Sequence, residues 1–202
     1  MRRTQEDRSA GTKAALIAAA RPLFAERGYA AVPAEEIVRA AGVTRGALHH
    51  HYGDKQGLFR AVFEELEREM TADIREAMDA AGDVGSALVL GLSAFLDACE
   101  REEVRRIGLT DAPAVLGWAT WREIETRHGL GLITDALENA IAAGALPPRP
   151  VGVLAQLVLS AAIETALLIA NSADPAGTRA ESESVLGAWF AGLLAQNNGP
   201  LA

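Results

Sequence analysis

The sequence has little of what disulfide scaffolds, membrane proteins and β-sheet proteins need. Cys99 is its single cysteine, which excludes an internal disulfide framework and any metal site built from several cysteines. No uninterrupted apolar run approaches the roughly 18 residues of a membrane span, so we expect no membrane partner. The first residues, MRRTQEDRSAGTKAAL, lack the apolar core of a signal peptide. These absences predict a reduced, cytoplasmic protein.

Charge is distributed unevenly along the chain, whose formal net charge is −8. Residues 1–55 carry nine basic and six acidic side chains, a net charge of +3. The remaining residues carry ten basic and 21 acidic side chains, a net charge of −11. A basic N-terminal segment on an acidic body predicts that any polyanion binds at the N-terminal end.

Helical periodicity dominates the sequence. The strict alternation of apolar and polar residues that is typical of strands is lacking, whereas apolar residues recur at steps of three and four. The pattern predicts an all-α protein of about nine helices. A first helix is expected from near Thr12, a good N-cap residue, to Arg27, where Gly28 ends it.

Two short helices and one long helix are expected next. The segment PAEEIVRAA predicts a short helix with Pro33 in its first turn. Thr44 is suited to cap a third helix, Arg45 to Tyr52, and Asp54 a fourth that extends to about residue 80. Further helices are expected between breaks at AAGDVG, at residues 113–117 and at ALPPRP, and the last of them at ESVLGAWFAGLLAQ.

Three of the four histidines, His49, His50 and His51, stand together in the third helix. Neighbouring helical residues diverge by about 100°, whereas helical zinc ligands are spaced i,i+4 and need further partners. No nucleophile with a recognisable base accompanies the cluster. We therefore predict no metal, no cofactor and no catalytic site here, and a protein that is not an enzyme.

The third helix instead has the surface of a helix that reads DNA. On a helical wheel Leu48 and Tyr52 face inward, whereas Gly46, His49 and His50 face outward. The third histidine of the run lies nearer the packed side. A short helix, a glycine turn and a second short helix with small and polar outer residues form a helix-turn-helix, whose second helix enters the major groove.

The N-terminal part of the chain resembles a known family. The segment AALIAAARPLFAERGYAAVPAEEIVRAAGVTRGALHHHYGDKQGLFRAV is similar, without a gap, to the DNA-binding domain of the TetR/AcrR family of bacterial regulators. The resemblance implies a DNA-binding domain at residues 1–55 and a helical effector-binding and dimerisation domain at residues 56–202. It implies a ligand-responsive repressor that binds a near-palindromic operator as a homodimer and is released by a small-molecule effector.

The resemblance also implies which side chains lie at the operator. Lys55 is expected to hold a phosphate, and His51 and Tyr52 are expected to pack and orient the recognition helix. The family commonly has Tyr at the position of His49. The side chains expected at the DNA are Thr44, Arg45, Gly46, His49 and His50.

For the body, the resemblance implies that the last two long helices pair with a second subunit. Each has a broad apolar stripe that fits this role, and packing within one chain is the alternative reading of the same stripes. The expected interface residues are Leu154, Leu157, Val158, Ala161, Thr165 and Leu168 on one helix and Val185, Leu186, Trp189, Phe190, Leu193 and Leu194 on the other.

The effector is expected to be apolar or aromatic, since the residues that suit a pocket in the body are mostly apolar. Such residues on amphipathic helices serve more often as core than as pocket. Cys99 is expected to be a small buried apolar residue rather than a redox sensor. The candidate effector-binding residues are Met70, Leu88, Leu92, Phe95, Arg105, Trp118 and Trp121.

Other functions remain open at this stage. Val32 and Pro33 stand where the family commonly has Ser or Thr, so the resemblance does not fix the operator sequence. A ligand-independent DNA-binding regulator or an activator has the same motif, and an all-helical enzyme or binding protein can keep a helix-turn-helix.

Overall fold

The structure is a computed structural model that describes residues 5–195, apart from the side chains of residues 5, 84, 194 and 195. The side chain of Leu194, which the sequence singled out above, therefore lies outside the described part. Within it the chain forms nine continuous helical segments and no β-strand, which confirms the predicted all-α fold.

The first five helices, α1 to α5, are Gln5–Ala31, Ala34–Ala40, Arg45–Tyr52, Lys55–Asp79 and Val84–Glu100. Helix α6 begins as a π-helix, Val104–Asp111, and continues as the α-helix Ala112–Leu116. Helix α7 runs as Trp118–Glu125, a π-helical Thr126–Leu130 and Gly131–Ala142. Helices α8 and α9 are Val151–Ala170 and Pro175–Ala195.

The expected helix start at Thr12 is wrong. Helix α1 is already formed at Gln5, and the Thr12 hydroxyl donates a hydrogen bond to the Arg8 carbonyl at 2.9 Å inside the helix. The break at Gly28 is confirmed, because its φ of 76° and ψ of 160° are not helical. Asp54 caps α4 as expected, since its Oδ1 accepts the Gly57 N–H at 2.8 Å.

Two boundaries in the second half also differ from expectation. Residues 113–117 are not a connection: Pro113 lies in the first turn of an α-helical stretch, and only Gly117, with φ 78°, leaves the helix. Helix α9 begins at Pro175, well before the predicted start of ESVLGAWFAGLLAQ, because proline is compatible with a first helical position. The ALPPRP segment is non-helical, as predicted.

The chain divides into two compact units that are not continuous in sequence. One comprises the residues up to Glu67 together with Arg101–Ile124, and the other comprises Arg68–Glu100 and the residues from Glu125 onward. The predicted boundary between residues 55 and 56 therefore falls inside the first unit. The reason is that α6 packs on α1.

The core of the first unit is aromatic. The ring centroids of Phe24 and Phe59 are 5.2 Å apart, and those of Tyr29 and Phe59 are 5.1 Å apart. Both pairs are edge-to-face. Phe63 of α4 is fully buried and lies against Gly108 of α6, where a Cβ would be 3.6 Å from the ring. This core holds the N-terminal helices against α6 by burial of large apolar surfaces.

The second unit is held together by α5, the Thr126–Leu130 and Gly131–Ala142 parts of α7, α8 and α9. Arg179 of α9 binds two carboxylates of α5, that of Asp97 at 2.5 Å and that of Glu100 at 2.6 Å, and Glu183 of its own helix at 3.0 Å. Burial opposes the charge of this guanidinium, but the three carboxylates more than offset it and raise the pKa of Arg179. The arrangement fixes α9 to α5 through charge-assisted bonds.

One helix of the described part is long and apolar enough to cross a membrane. Val151–Ala170 has a mean hydropathy of 2.0, contrary to the expectation drawn from uninterrupted runs. Of its most apolar stretch, 44% is buried within the chain. A core helix of a soluble protein passes the same test, so the length and composition of this helix are weak evidence for a membrane.

Candidate DNA-binding interface and family

The turn that leads into α3 is built from local signals in the sequence. Gly42 has a φ of 65°, which a residue with a side chain rarely adopts, and Val43 donates to the Val38 carbonyl at 3.0 Å. The Thr44 Oγ1 then accepts the Ala47 N–H at 3.2 Å and so caps α3, as predicted. This cap leaves the first turn of α3 defined and its outer face open.

The three histidines are oriented as the helical wheel predicts. His49 and His50 are exposed, whereas His51 is half-buried, and Leu48 is only 3% exposed. Partial burial lowers the pKa of His51, and the positive charges of His50 and Lys13 lower it further. Within residues 5–195, no cluster of three or more His, Cys, Asp or Glu side chains is placed to hold a metal ion.

Two arginine–glutamate pairs join α2 to its neighbouring helices. The Arg45 guanidinium, 75% exposed, is paired with Glu35 of α2. Arg27 donates to both carboxylate oxygens of Glu36, at 2.6 and 3.0 Å. Hydrogen bonding from Arg27 lowers the pKa of Glu36. Because both side chains of the Arg45–Glu35 pair lie in water, the pair is weak, and Arg45 can exchange Glu35 for another partner at little cost.

The ammonium of Lys55, at the start of α4, already binds acceptors of its own chain. Its ammonium donates to the carbonyls of Tyr29 and Val32, at 2.9 and 3.0 Å, and lies 3.9 Å from the centroid of the Tyr29 ring. Burial lowers the pKa of this ammonium. An ammonium has three N–H donors, so the two carbonyls leave one for an acceptor outside the chain. The predicted phosphate contact of Lys55 therefore depends on where the carbonyls of Tyr29 and Val32 hold the ammonium.

Two residues that support this interface were missed by the sequence argument. The Tyr29 N–H donates to Asp111 Oδ2 at 2.7 Å, so a carboxylate of α6 holds the backbone at the end of α1. Residues 82 positions apart have no shared local signal, and only the packing of α6 on α1 brings them together. The pattern G-Y after a helix predicts a turn, but it gives no indication of the carboxylate that binds there.

The candidate effector residues are divided between the two units. In the unit that contains Arg68–Glu100, Met70, Leu88 and Leu92 are buried and Phe95 is half-buried. In the other unit, Arg105 is exposed, Trp118 is 67% exposed and Trp121 is 2% exposed. The indole Nε1–H of Trp121 is buried without an acceptor among the described residues. Such an orphan donor costs about 1–3 kcal/mol and needs an explanation.

The candidate interface residues of α8 and α9 fall into three groups by exposure. Five are buried within the chain, namely Leu154, Val158, Thr165, Leu186 and Phe190, and Ala161, Trp189 and Leu193 are half-buried. The exposed ones are Leu157 at 55%, Leu168 at 53% and Val185 at 68%. Val153, which the sequence argument omitted, is 64% exposed and shares their face of α8. The buried group already packs inside one chain, so the exposed group defines the surface that is left to cover.

Two family models match the chain in succession. Residues 16–62 match the model of bacterial regulatory proteins of the tetR family, and residues 86–193 match a tetracyclin repressor-like C-terminal domain. The chain belongs to the TetR family of bacterial transcriptional regulators. As a TetR-family member it is a DNA-binding regulator with a helix-turn-helix, and α3 is its recognition helix.

Relatives with names and structures support the same assignment for this TetR-family chain. It is 31% identical over 157 residues to the HTH-type transcriptional regulator TtgR of Pseudomonas putida, covering 73% of each chain. It is 44% identical over 70 residues to CymR of the same species, a match that spans only 34% of that protein. A TetR-family regulator from Pectobacterium atrosepticum has a similar structure, with a TM-score of 0.82, 33% identity and coverage of 97% and 100% of the two chains.

Proposed function

We propose that this regulator is a cytoplasmic repressor that binds a near-palindromic operator as a homodimer and leaves it when a small apolar or aromatic effector binds. The observation that carries the proposal is the exposed face of α3. Its first turn presents Thr44, Arg45 and Gly46 outward, and its second presents His49 and His50. Small and basic side chains at the start of a recognition helix suit base edges and phosphates in the major groove.

Dimerisation is part of the proposal because α3 is short. Eight residues span about 12 Å, which reaches only a few base pairs. Two such helices about 34–36 Å apart read two half-sites and gain the specificity that one helix lacks. The exposed apolar side chains Val153, Leu157, Leu168 and Val185 support α8 and α9 as the surface that pairs the subunits.

The effector site in this proposal includes Trp121. Its buried Nε1–H suits an acceptor atom of the effector, such as a carbonyl or phenolic oxygen, and its ring lies 4.8 Å from that of Trp118. An effector that binds better to the conformation with mis-spaced recognition helices lowers DNA affinity by its differential affinity. The coupling is reciprocal, so operator DNA must weaken effector binding by the same factor. Equal effector affinity with and without DNA contradicts this route.

A shift assay with the upstream region of its own gene, followed by selection from genomic fragments, tests the DNA-binding part of the proposal. We expect sequence-preferring binding that weakens steeply as salt rises, because cationic side chains release counterions from DNA. Arg45→Ala should relax specificity at one base step per half-site by about 1–3 kcal/mol, whereas Lys55→Ala should weaken all sequences alike. The absence of any sequence-preferring, salt-sensitive binding contradicts the proposal.

The identity of the effector requires a direct search. Mass spectrometry of the protein purified from its native host detects a ligand that copurifies. A compound found in this way should release the protein from operator DNA in the shift assay. Trp121→Phe, which removes the N–H together with the five-membered ring that carries it, should weaken binding of an effector that carries an acceptor, while an unchanged affinity removes Trp121 from the site.

A further inference from the structure

Tyr29 joins α6 to the start of α4 through its own backbone. Its N–H donates to Asp111 Oδ2 at 2.7 Å, and its carbonyl accepts from Lys55 Nζ at 2.9 Å. Its ring lies under the same ammonium and packs against Phe24 and Phe59. One residue therefore connects a carboxylate of α6 to the cation that follows the recognition helix.

Gly28 makes this geometry possible. Its φ of 76° and ψ of 160° belong to a region that is essentially restricted to glycine, and they kink α1 immediately before Tyr29. A Cβ at Gly28 would lie 3.3 Å from Asp111 Oδ2 and 3.7 Å from Arg106 Cδ. Helix α6 thus lies directly against the turn, where its carboxylate reaches the Tyr29 amide.

A second interaction, between Arg21 and Glu103, fixes the other end of the contact between α6 and α1. Arg21 donates two hydrogen bonds to Glu103, both at 2.9 Å, and the two side chains are 21% and 27% exposed. Glu103 precedes the π-helical segment Val104–Asp111, and Asp111 ends it. The two bonds therefore hold α6 to α1 at both ends of a π-helix, a form that is rare and occurs frequently at functional sites.

We propose that Asp111 is a positioning residue for DNA binding, which acts through the backbone of Tyr29 on Lys55. The proposal rests on the proposed function, since it takes Lys55 as a phosphate ligand. The Asp111 carboxylate fixes the Tyr29 N–H with a charge-assisted bond, and the carbonyl of the same residue, in the next peptide, holds the ammonium of Lys55 with its remaining N–H available to DNA. Without the carboxylate, the Tyr29 carbonyl and the ammonium move together and the phosphate contact is lost.

The direction in which DNA affinity changes when Asp111 is replaced distinguishes a positioning role from a simple charge effect. Asp111 carries a negative charge, so its removal makes the protein less repulsive to DNA and, by charge alone, tightens binding. The positioning role predicts the opposite for Asp111→Ala, which removes the acceptor. Asp111→Asn removes the same charge but keeps a side-chain oxygen for the Tyr29 N–H. The two variants therefore differ only if the hydrogen bond matters.

The experiment measures binding to a mixed-sequence duplex of about three helical turns by fluorescence anisotropy at several salt concentrations, because phosphate contacts are independent of sequence. We expect Asp111→Ala to weaken binding about fivefold and to lower the salt slope by about 0.9 per subunit, one phosphate contact each. Asp111→Asn should stay within about twofold of wild type or bind more tightly. Glu102→Ala, an exposed acid next to α6, is the charge-matched control and should not weaken binding.

A double variant tests the route through Lys55. In a Lys55→Met background the phosphate contact is already absent, so Asp111→Ala should add no further loss and no further change in slope. Additive losses, equal behaviour of Asp111→Ala and Glu102→Ala, or a loss in Asp111→Asn as large as in Asp111→Ala each overturn the inference.

Folding is checked first by circular dichroism and thermal melting. If Asp111→Ala does not fold, Asp111→Leu removes the acceptor and leaves a smaller cavity than alanine does, and the same outcomes decide. A wild-type protein that binds no DNA at low salt contradicts the proposed function itself. A wild type that binds while Asp111→Ala binds equally well contradicts only the positioning role.

Discussion

Arg45, the first residue of the recognition helix, is ion-paired with Glu35 of the preceding helix. The guanidinium that is expected to read a base is therefore held by a carboxylate of its own chain before DNA arrives. Glu35 is 60% exposed, so the pair lies in water and is weak. In the proposed function, binding to DNA would exchange this carboxylate for a base edge or a phosphate and leave Glu35 facing the polyanion.

Glu35→Gln should therefore tighten DNA binding. The change removes the competitor of Arg45 and a negative charge near phosphates, and since exposed pairs contribute up to about 1 kcal/mol, we expect a gain of up to about fivefold. Titration of labelled DNA at constant salt measures it. In an Arg45→Ala background the gain in affinity should shrink to the part that is due to repulsion between the Glu35 carboxylate and the DNA phosphates. An equal gain in both backgrounds shows that the pair does not compete with DNA.

Gly28→Ala should destabilise the N-terminal unit. A side chain at this φ of 76° costs about 1–2 kcal/mol, and the added Cβ would crowd Asp111. Gly11→Ala is a matched control in the same helix, where a Cβ meets nothing within 4 Å and should stabilise by about 0.5–1 kcal/mol. Denaturant unfolding of the two variants should therefore give free energies of unfolding that change in opposite directions. Equal changes contradict the requirement for glycine at position 28.

Leu157→Arg should convert the proposed dimer into a monomer. Leu157 is 55% exposed on α8 and shares its face with Val153 and Leu168, so an arginine here buries an unpaired charge in the interface without disturbing the core of the chain. Val89→Arg, at a 47% exposed position on α5, is the control and should leave the mass in solution unchanged. Sedimentation equilibrium reports both. A dimer that survives Leu157→Arg but not Val89→Arg places the interface elsewhere.

The stability of the protein should fall in mild acid partly through His51. Its pKa is lowered in the folded chain by partial burial and by the charges of His50 and Lys13. As pH falls below about 6.5, the unfolded chain binds a proton at this imidazole before the folded chain does, so the free energy of unfolding decreases until the folded imidazole also titrates. Thermal melts at pH 7.5 and 5.5 should show a larger loss for wild type than for His51→Gln. Equal losses contradict this contribution of His51.

The local features of the DNA-binding part could be predicted from the sequence because their signals are local. The cap of α3 by Thr44 and the turn at Gly42 depend on residues within a few positions of each other. The start of α1 could not be predicted in this way. Thr12 is a good capping residue, but its hydroxyl also bonds to the carbonyl four residues back, and the helix continues through it.

The chain by itself determined an all-α fold, a recognition helix with its outward face, and membership of its family, because helical periodicity, caps and a gap-free motif are properties of neighbouring residues. Only the tertiary structure decided that α6 belongs with the N-terminal helices, that Asp111 holds Tyr29, and that Lys55 is bound by two carbonyls. It also decided which residues of the apolar stripes on α8 and α9 remain exposed. These outcomes depend on which helices pack together, and a pattern along one helix does not contain that information.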